Sequence, residues 1–121
     1  DLIISFELLE GLRYISYLKP DGRLITSTQR IDPMPVITGT ASYPDNILER
    51  LESANVKVTS LDALSLALKA GSAKAANIVM LGAASNYIGG VKTEWQAALE
   101  CCVPTRFISM NKTAFEFGKS A

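Results

Sequence analysis

Apolar residues in the first thirty positions follow two spacings that together predict a βαβ unit. Residues 2–6 form a short, mainly apolar run, typical of a strand buried in a parallel sheet. Residues 19–22, Lys-Pro-Asp-Gly, stop the following segment with a turn, and residues 23–28 have the pattern of a second strand. Between the two strands, apolar residues recur at helical spacing: Leu8, Leu12, Ile15 and Leu18. The predicted order is strand, helix, strand.

Prolines interrupt the pattern in the middle of the chain. Pro33 and Pro35 lack backbone donors and push the preceding residues into extended conformations, so residues 31–35 are predicted to be a rigid loop and not a helix. Residues 36–39 are expected to form a short strand. Residues 43–45, Tyr-Pro-Asp, are expected to open a helix whose apolar face carries Ile47, Leu48 and Leu51.

The next segments return to alternating strand and helix. Residues 56–61 are predicted to be a strand, and Asp62 is placed to cap a helix over residues 63–69 that Gly71 ends. Residues 73–88 carry almost no charge, which predicts a central helix buried on most sides.

Two further helices are predicted after the Gly89-Gly90 break. Thr93 and Gln96 have the spacing of a capping box that starts a helix ended by Pro104. Gly118 is expected to stop a last helix. The apolar stripe of that last helix is predicted at Phe107, Met110, Ala114 and Phe117.

These elements predict an α/β fold, with three layers (α/β/α) around a largely parallel sheet. Residues 1–121 are the size of one domain. The chain enters its first strand at Asp1 with no polar lead-in, so we expect the sheet to be incomplete at its N-terminal side.

Composition narrows the possible partners. Hydrophobic residues make up 48% of the chain and charged residues 20%, which predicts a packed core, and the net charge is zero. We therefore expect no nucleic-acid or anionic-lipid partner. The longest apolar run, residues 75–84, is too short to span a membrane. Cys101 and Cys102 are adjacent, where an ordinary disulfide would be strained, and this favours a reducing cytoplasm.

Residue types restrict the chemistry further. The chain has no histidine, which excludes Ser-His-Asp and Cys-His arrangements in this segment, and its two adjacent cysteines lack the spacing of cluster or zinc ligands. Neither of the Gly-rich phosphate-binding motifs occurs. No catalytic residue, metal site or cofactor site is predicted in this segment.

Polar residues after the first two strands are the leading candidates for binding. Glu7 follows the first strand, at the sheet edge where α/β proteins bind ligands, and it either faces a ligand or begins the helix as a dipole-favoured carboxylate. Gln29 and Arg30 follow the second strand. Arg30 either faces an anion or a partner's carboxylate, or is a solvated loop charge. Thr38 offers a hydroxyl, in a segment that is otherwise typical of a turn.

Two asparagines complete the set of candidates. Asn77 lies in an apolar helix and, if buried, requires a hydrogen-bond partner, either a neighbouring loop or a ligand. Asn111 lies beside the stripe of the last helix and serves either packing or an interface.

Several separated motifs resemble one enzyme family. Residues 1–7 (Asp-Leu-Ile-Ile-Ser-Phe-Glu), the Leu-Lys-Pro-Asp-Gly turn and residues 28–36 resemble the small subunit of the indolepyruvate:ferredoxin oxidoreductases. Residues 76–83 resemble the Asn-containing helix of the gamma domain of pyruvate and 2-oxoglutarate oxidoreductases, and residues 111–118 resemble that domain's closing helix. Family members have a Gly-rich turn before the position of Asp1, so this chain is similar to the C-terminal portion of a gamma-type domain.

The resemblance implies a 2-oxoacid oxidoreductase that converts arylpyruvates to acyl-CoA and CO2 with coenzyme A and passes electrons to ferredoxin. In the family, thiamine diphosphate and the iron–sulfur clusters belong to a larger catalytic subunit. This chain would be its companion and would carry no cofactor. Glu7, Gln29 and Arg30 would then lie on the ligand or partner side of the sheet.

Two other functions are compatible with the residues. A regulatory module would bind a nucleotide tightly without a thiamine-dependent partner. A structural adaptor would alter assembly and leave the kinetic constants of its partner unchanged.

Overall fold

The computed structural model describes residues 1–121, which divide into two compact units, residues 1–60 and residues 61–121. The predicted βαβ unit is present in the first. Its elements, in chain order up to the boundary, are β1 (Leu2–Ser5), α1 (Leu8–Tyr14), β2 (Arg23–Ser27), α2 (Met34–Ile37), α3 (Ile47–Ser53) and β3 (Lys57–Leu61).

The three strands form one sheet in the order β1-β2-β3. β1 and β2 run parallel, with Ile3 opposite Leu24 and Ser5 opposite Thr26. Parallel neighbours require a crossover, which α1 supplies. The predicted α/β class is therefore confirmed, and β1 lies at an edge of the sheet, half-buried except for the buried Ser5.

The core of the first unit lies between the sheet and two helices. Leu9 of α1, Leu24 of β2, and Ile47 and Leu51 of α3 form one buried cluster. Because Ile47 and Leu51 are four residues apart, they lie on the same face of their helix. The helix predicted from that spacing is confirmed, and it begins after Asn46.

The prediction for the proline-rich segment is wrong in part. Residues 34–37 form α2, one helical turn, where a loop up to residue 35 and a strand over residues 36–39 were expected. Pro33 precedes the turn and Pro35 lies within its first residues, where backbone N–H groups have no helical partner, so the missing donors cost nothing. Gly39, with φ +77°, ends it.

The second unit is helical: α4 (Ala63–Ala70), α5 (Ala76–Ile88), α6 (Lys92–Cys102) and α7 (Ile108–Ser120), with 3-10 turns at Ala73–Ala75 and Thr105–Phe107. Asp62 caps α4 as predicted, because its carboxylate accepts from the Ser65 backbone N–H at 2.9 Å. None of the helices has the length and apolarity needed to cross a membrane.

The start of α6 differs from the prediction. Thr93 lies inside the helix, and the residue that precedes the first turn is Val91, whose backbone N–H donates to the Glu94 carboxylate at 2.9 Å. Glu94 thus satisfies a donor that the helix leaves free, and Thr93 was wrongly predicted as the capping residue.

α5 and α7 approach so closely that their backbones touch at two glycines. A Cβ at Gly82 would lie 2.1 Å from the Phe115 carbonyl oxygen, and one at Gly118 would lie 1.8 Å from the Val79 carbonyl oxygen. Gly118 therefore lies inside α7, and its prediction as a helix stop is wrong. The buried stripe of α7 consists of Asn111, Ala114, Phe115 and Gly118.

The rest of these two helices also departs from the predicted burial. Phe107 and Phe117 are exposed, although both were assigned to the apolar stripe. The middle of α5 is buried, whereas Ile88 at its end and Asn77 near its start are exposed.

Candidate functional site

Glu7 is the centre of a polar network in the first unit. It directly follows β1 and begins α1, and its side chain is only 5% exposed. Its carboxylate accepts from the Glu10 backbone N–H at 2.9 Å, from the Ile31 backbone N–H at 3.4 Å and from the Tyr43 hydroxyl. One carboxylate thus joins the first helix to the loop after β2 and to the segment before α3.

The hydrogen bonds of Glu7 explain how a carboxylate is tolerated in a buried place. A buried carboxylate is costly unless several donors surround it, and here three converge on its two oxygens. The start of a helix also favours negative charge. The side chain acts as the cap of α1, which is one of the two roles that its position predicts.

Arg30 is held on the surface beside this network. Its Nε lies 2.6 Å from the Asp32 carboxylate, and its guanidinium carbon lies 4.2 Å from the centre of the Tyr43 ring. The hydrogen bond to Asp32 raises the pKa of Arg30, so the group stays charged. Its terminal Nη groups have no partner within the chain. The arrangement presents a fixed cation with free donors to solvent.

Tyr43 links Glu7 to Arg30 and was missed as a site residue. Burial, and then the hydrogen bond to Glu7, raises the pKa of Tyr43 to about 12, so its hydroxyl remains a donor. The local pattern, Tyr-Pro-Asp, was interpreted only as the opening of a helix, which in the structure begins at Ile47. Because Tyr43 is separated from Glu7 by 36 residues, no spacing in the sequence signals their contact.

Gln29 and Thr38 are held mainly by local contacts. The Gln29 backbone carbonyl accepts from the Leu8 N–H at 3.3 Å, which fixes the loop after β2 against the start of α1. The Thr38 hydroxyl donates to the Met34 carbonyl at 3.0 Å and closes the turn of α2. Gln29 therefore belongs to the Glu7 network through its backbone, and Thr38 does not.

An apolar depression of about 500 Å³ lies beside this network, along β1 and α1. We call it the β1-edge surface. Its larger side chains are Ile3, Ile4, Phe6, Tyr14, Tyr17 and Ile31. Phe6, Tyr14, Tyr17 and Ile31 are exposed, and a patch of this kind is typical of an interaction surface.

Asn77 and Asn111 lie in the second unit, on a groove between residues 71–78 and residues 102–111 with a volume of about 500 Å³. We call it the second-unit groove. Asn77 is exposed on the groove wall, so water can reach its amide, and the need for a specific partner that burial would create does not arise. Asn111 is buried, and its Nδ2 donates to the Phe107 carbonyl at 2.9 Å.

The residues present do not fit a cluster or metal cofactor. Cys101 and Cys102 are exposed neighbours in the chain, and no group of three or more His, Cys, Asp or Glu side chains comes together. A cluster with Cys ligands requires several converging thiolates. The geometry supports binding through Arg30 and the apolar surfaces, and it contains no paired nucleophile and base.

Comparison with known proteins gives a consistent result. The chain is 38% identical to indolepyruvate oxidoreductase subunit IorB of Thermococcus kodakarensis and covers 62% of that protein. It is 36% identical to the corresponding protein of Pyrococcus horikoshii, again covering 62% of it. Both matches include 100% of this chain. The chain thus spans about 62% of the length of these curated relatives.

A solved structure has a similar fold. The gamma subunit of the keto/oxoacid ferredoxin oxidoreductase from Geobacter sulfurreducens superposes with a TM-score of 0.72 at 24% identity, over 99% of this chain and 62% of that chain. The family described as pyruvate ferredoxin/flavodoxin oxidoreductase matches residues 1–121. The resemblance inferred from the sequence motifs is confirmed, and the chain belongs to the pyruvate ferredoxin/flavodoxin oxidoreductase family.

Proposed function

We propose that this chain is the C-terminal part of the gamma-type domain in the small subunit of a 2-oxoacid:ferredoxin oxidoreductase of the indolepyruvate type. The observation that carries the proposal is the match over the whole chain to relatives named as indolepyruvate oxidoreductase subunits. A larger partner subunit would hold thiamine diphosphate and the iron–sulfur clusters. The complex would form acyl-CoA and CO2 from a 2-oxoacid with coenzyme A and reduce ferredoxin.

The side chains of this chain support a companion role. Tyr43, with a pKa of about 12, is a poor proton acceptor near neutrality, and the Glu7 carboxylate is already occupied by three donors. Arg30, by contrast, has free donors on a fixed guanidinium. We therefore assign to this chain binding and positioning, and to the partner the steps that need a cofactor.

The β1-edge surface supports the proposed place of the chain in a larger domain. β1 has a sheet neighbour on one side only, and exposed apolar side chains lie next to it. A buried parallel strand would be covered on both sides. In this proposal the remaining part of the gamma-type domain covers the β1-edge surface.

Assembly and the role of Arg30 are tested together. The full-length subunit is expected to copurify with the large subunit of its complex. Arg30→Ala should weaken that association, or raise the KM for coenzyme A or the 2-oxoacid, because it removes the free donors beside Tyr43. Arg13→Ala is the matched control, since Arg13 is also exposed on this unit and paired with a nearby carboxylate, Glu10 at 2.7 Å. Unchanged subunit affinity, turnover and coenzyme A dependence in Arg30→Ala would refute its role.

A further inference from the structure

The proposed function assigns no role to the second-unit groove, although the size and lining of the groove are suited to binding a small molecule. Its volume of about 500 Å³ lies in the range of pockets that hold small molecules. Apolar side chains form most of its walls: Ile78, Val103, Pro104, Phe107 and Met110. A molecule bound here would have an apolar body.

The charges at the groove favour an anion. Lys74 is the one charged residue that lines it, and Lys74 makes no ion pair. No Asp or Glu lines the groove. The Arg106 guanidinium lies 4.6 Å from the centre of the Phe107 ring and adds a second positive charge beside the same wall. An uncompensated cation next to an apolar wall complements a carboxylate attached to an apolar group.

Asn111 adds one directional contact. The residue is 8% exposed, and its amide donates to the Phe107 carbonyl. Because a carbonyl oxygen can only accept, that bond identifies the nitrogen, and Oδ1 is the remaining atom of the amide. Oδ1 has no hydrogen-bond partner in the chain although Asn111 lines the groove. A ligand with an N–H or O–H group would satisfy it.

We propose that the second-unit groove binds a small aromatic carboxylate that carries an N–H donor. The ring would pack against Ile78, Phe107 and Met110, the donor would reach Asn111, and the carboxylate would lie near Lys74. The choice of an indole ring rests on the proposed function, whereas the preference for an apolar anion rests on the groove alone.

The test is calorimetric titration of the full-length subunit with indole-3-acetate, which lacks the 2-oxo group and therefore undergoes no turnover. For a ligand of this size we expect a Kd of about 1 mM or tighter. Indole, without the carboxylate, should bind at least about five-fold more weakly. Lys74→Gln should weaken the binding of indole-3-acetate about five-fold and leave the binding of indole unchanged. Lys69→Gln is the control, since Lys69 is exposed and lies outside the groove.

Asn77→Trp provides a second, independent variant. Because Asn77 lines the groove and is exposed, a larger side chain can fill the groove without entering the core, and thermal unfolding checks that the fold is kept. Binding should be lost. Absence of binding to the unmodified subunit, binding retained in Asn77→Trp, or no effect of Lys74→Gln would each overturn the assignment.

Two further readouts separate this inference from its alternatives. If indole-3-acetate does not bind while Asn77→Trp abolishes association with the large subunit, the groove is a subunit interface and the proposal fails. Oxidoreductase turnover by the complex is measured separately. A complex without 2-oxoacid activity would contradict the proposed function and leave the binding result intact.

Discussion

Each of the two units has a different kind of internal contact between its distant segments. In the first, the Glu7 carboxylate bonds to groups 24 and 36 residues away along the chain. In the second, α5 and α7 meet at Gly82 and Gly118, where backbone touches backbone. Besides its apolar core, the first unit therefore uses a few polar groups with defined partners to join distant segments. In the second unit, two helices reach backbone contact because glycines there have no side chains.

This difference explains where each unit exposes the groups that are candidates for binding a ligand or a partner. A loop fixed by hydrogen bonds can carry an exposed cation in a defined place, as the segment around Arg30 does. Helices in backbone contact form a rigid support, on whose surface the second-unit groove lies. Substitutions in each unit test the two kinds of contact independently. The largest loss in the free energy of unfolding is expected for substitutions of the two glycines.

Gly82→Ala and Gly118→Ala are expected to destabilise the chain most. Each new Cβ would overlap a carbonyl oxygen of the facing helix, so the helices must separate, at a cost of about 3 kcal/mol or more in the free energy of unfolding. Urea unfolding measures this loss. Gly39→Ala is the control: Gly39 has φ +77° and no atom within 4 Å of a Cβ, so only a conformational cost of about 1 kcal/mol applies. Equal losses in the three variants would contradict the importance of the backbone contact.

Glu7→Ala is expected to cost about 2 to 3 kcal/mol of unfolding free energy, because it removes a cap and leaves the Ile31 and Tyr43 donors without their acceptor. Denaturant unfolding measures the loss. Asp62→Ala is the matched control, since Asp62 also caps a helix but is exposed and bonds only locally to Ser65. Asp62→Ala should lose less unfolding free energy than Glu7→Ala. An equal loss would mean that the bonds from the distant Ile31 and Tyr43 donors do not stabilise the fold.

A double-mutant cycle isolates the long-range part of the Glu7 effect. Glu7→Ala and Tyr43→Phe should show a coupling of about 1 kcal/mol in denaturant unfolding, because both remove the same hydrogen bond. Additive losses would mean that the bond does not stabilise the fold.

The pH dependence of stability is expected to show a smaller effect of the same bond. In the folded chain the pKa of Tyr43 is about 12, above its ordinary value of 10.0, so the folded state retains this proton more strongly than the unfolded state. The contribution is complete below pH 10 and is lost as the pH rises from 10.0 to about 12.

Unfolding free energies measured across that range should fall more steeply for the unmodified chain than for Tyr43→Phe. The other tyrosines titrate in both proteins, so the difference between the two curves reports Tyr43. Parallel curves would argue against the raised pKa.

The sequence predicted those features that depend on local patterns. The βαβ order, the Asp62 cap and the helix break at Gly89 follow from neighbouring residues, and all three are confirmed. Gly118 was assigned to a helix end because glycine usually ends helices, whereas close approach to Val79 requires it here. Tyr43 could not be found, since its partner lies in a distant segment.

For the candidate site residues, residue type and position in the sequence did not determine burial or contacts. Glu7 and Arg30 were identified from their positions after the strands, but only their contacts distinguish a buried cap from an exposed cation. Asn77 was considered for a specific partner in case its apolar helix buried it, and the helix leaves it exposed on a groove. Family resemblance, which uses many separated residues at once, predicted the class of protein more reliably than any single motif.

The measurement that tests the proposed function most directly is 2-oxoacid-dependent reduction of ferredoxin by the complex reconstituted from the full-length subunit and its large partner. We predict indolepyruvate-dependent and coenzyme A-dependent electron transfer when both subunits are present, and a large loss when this subunit is omitted. The proposed function would be contradicted if the large subunit alone had the same kcat and KM values as the complex, or if the two subunits failed to associate.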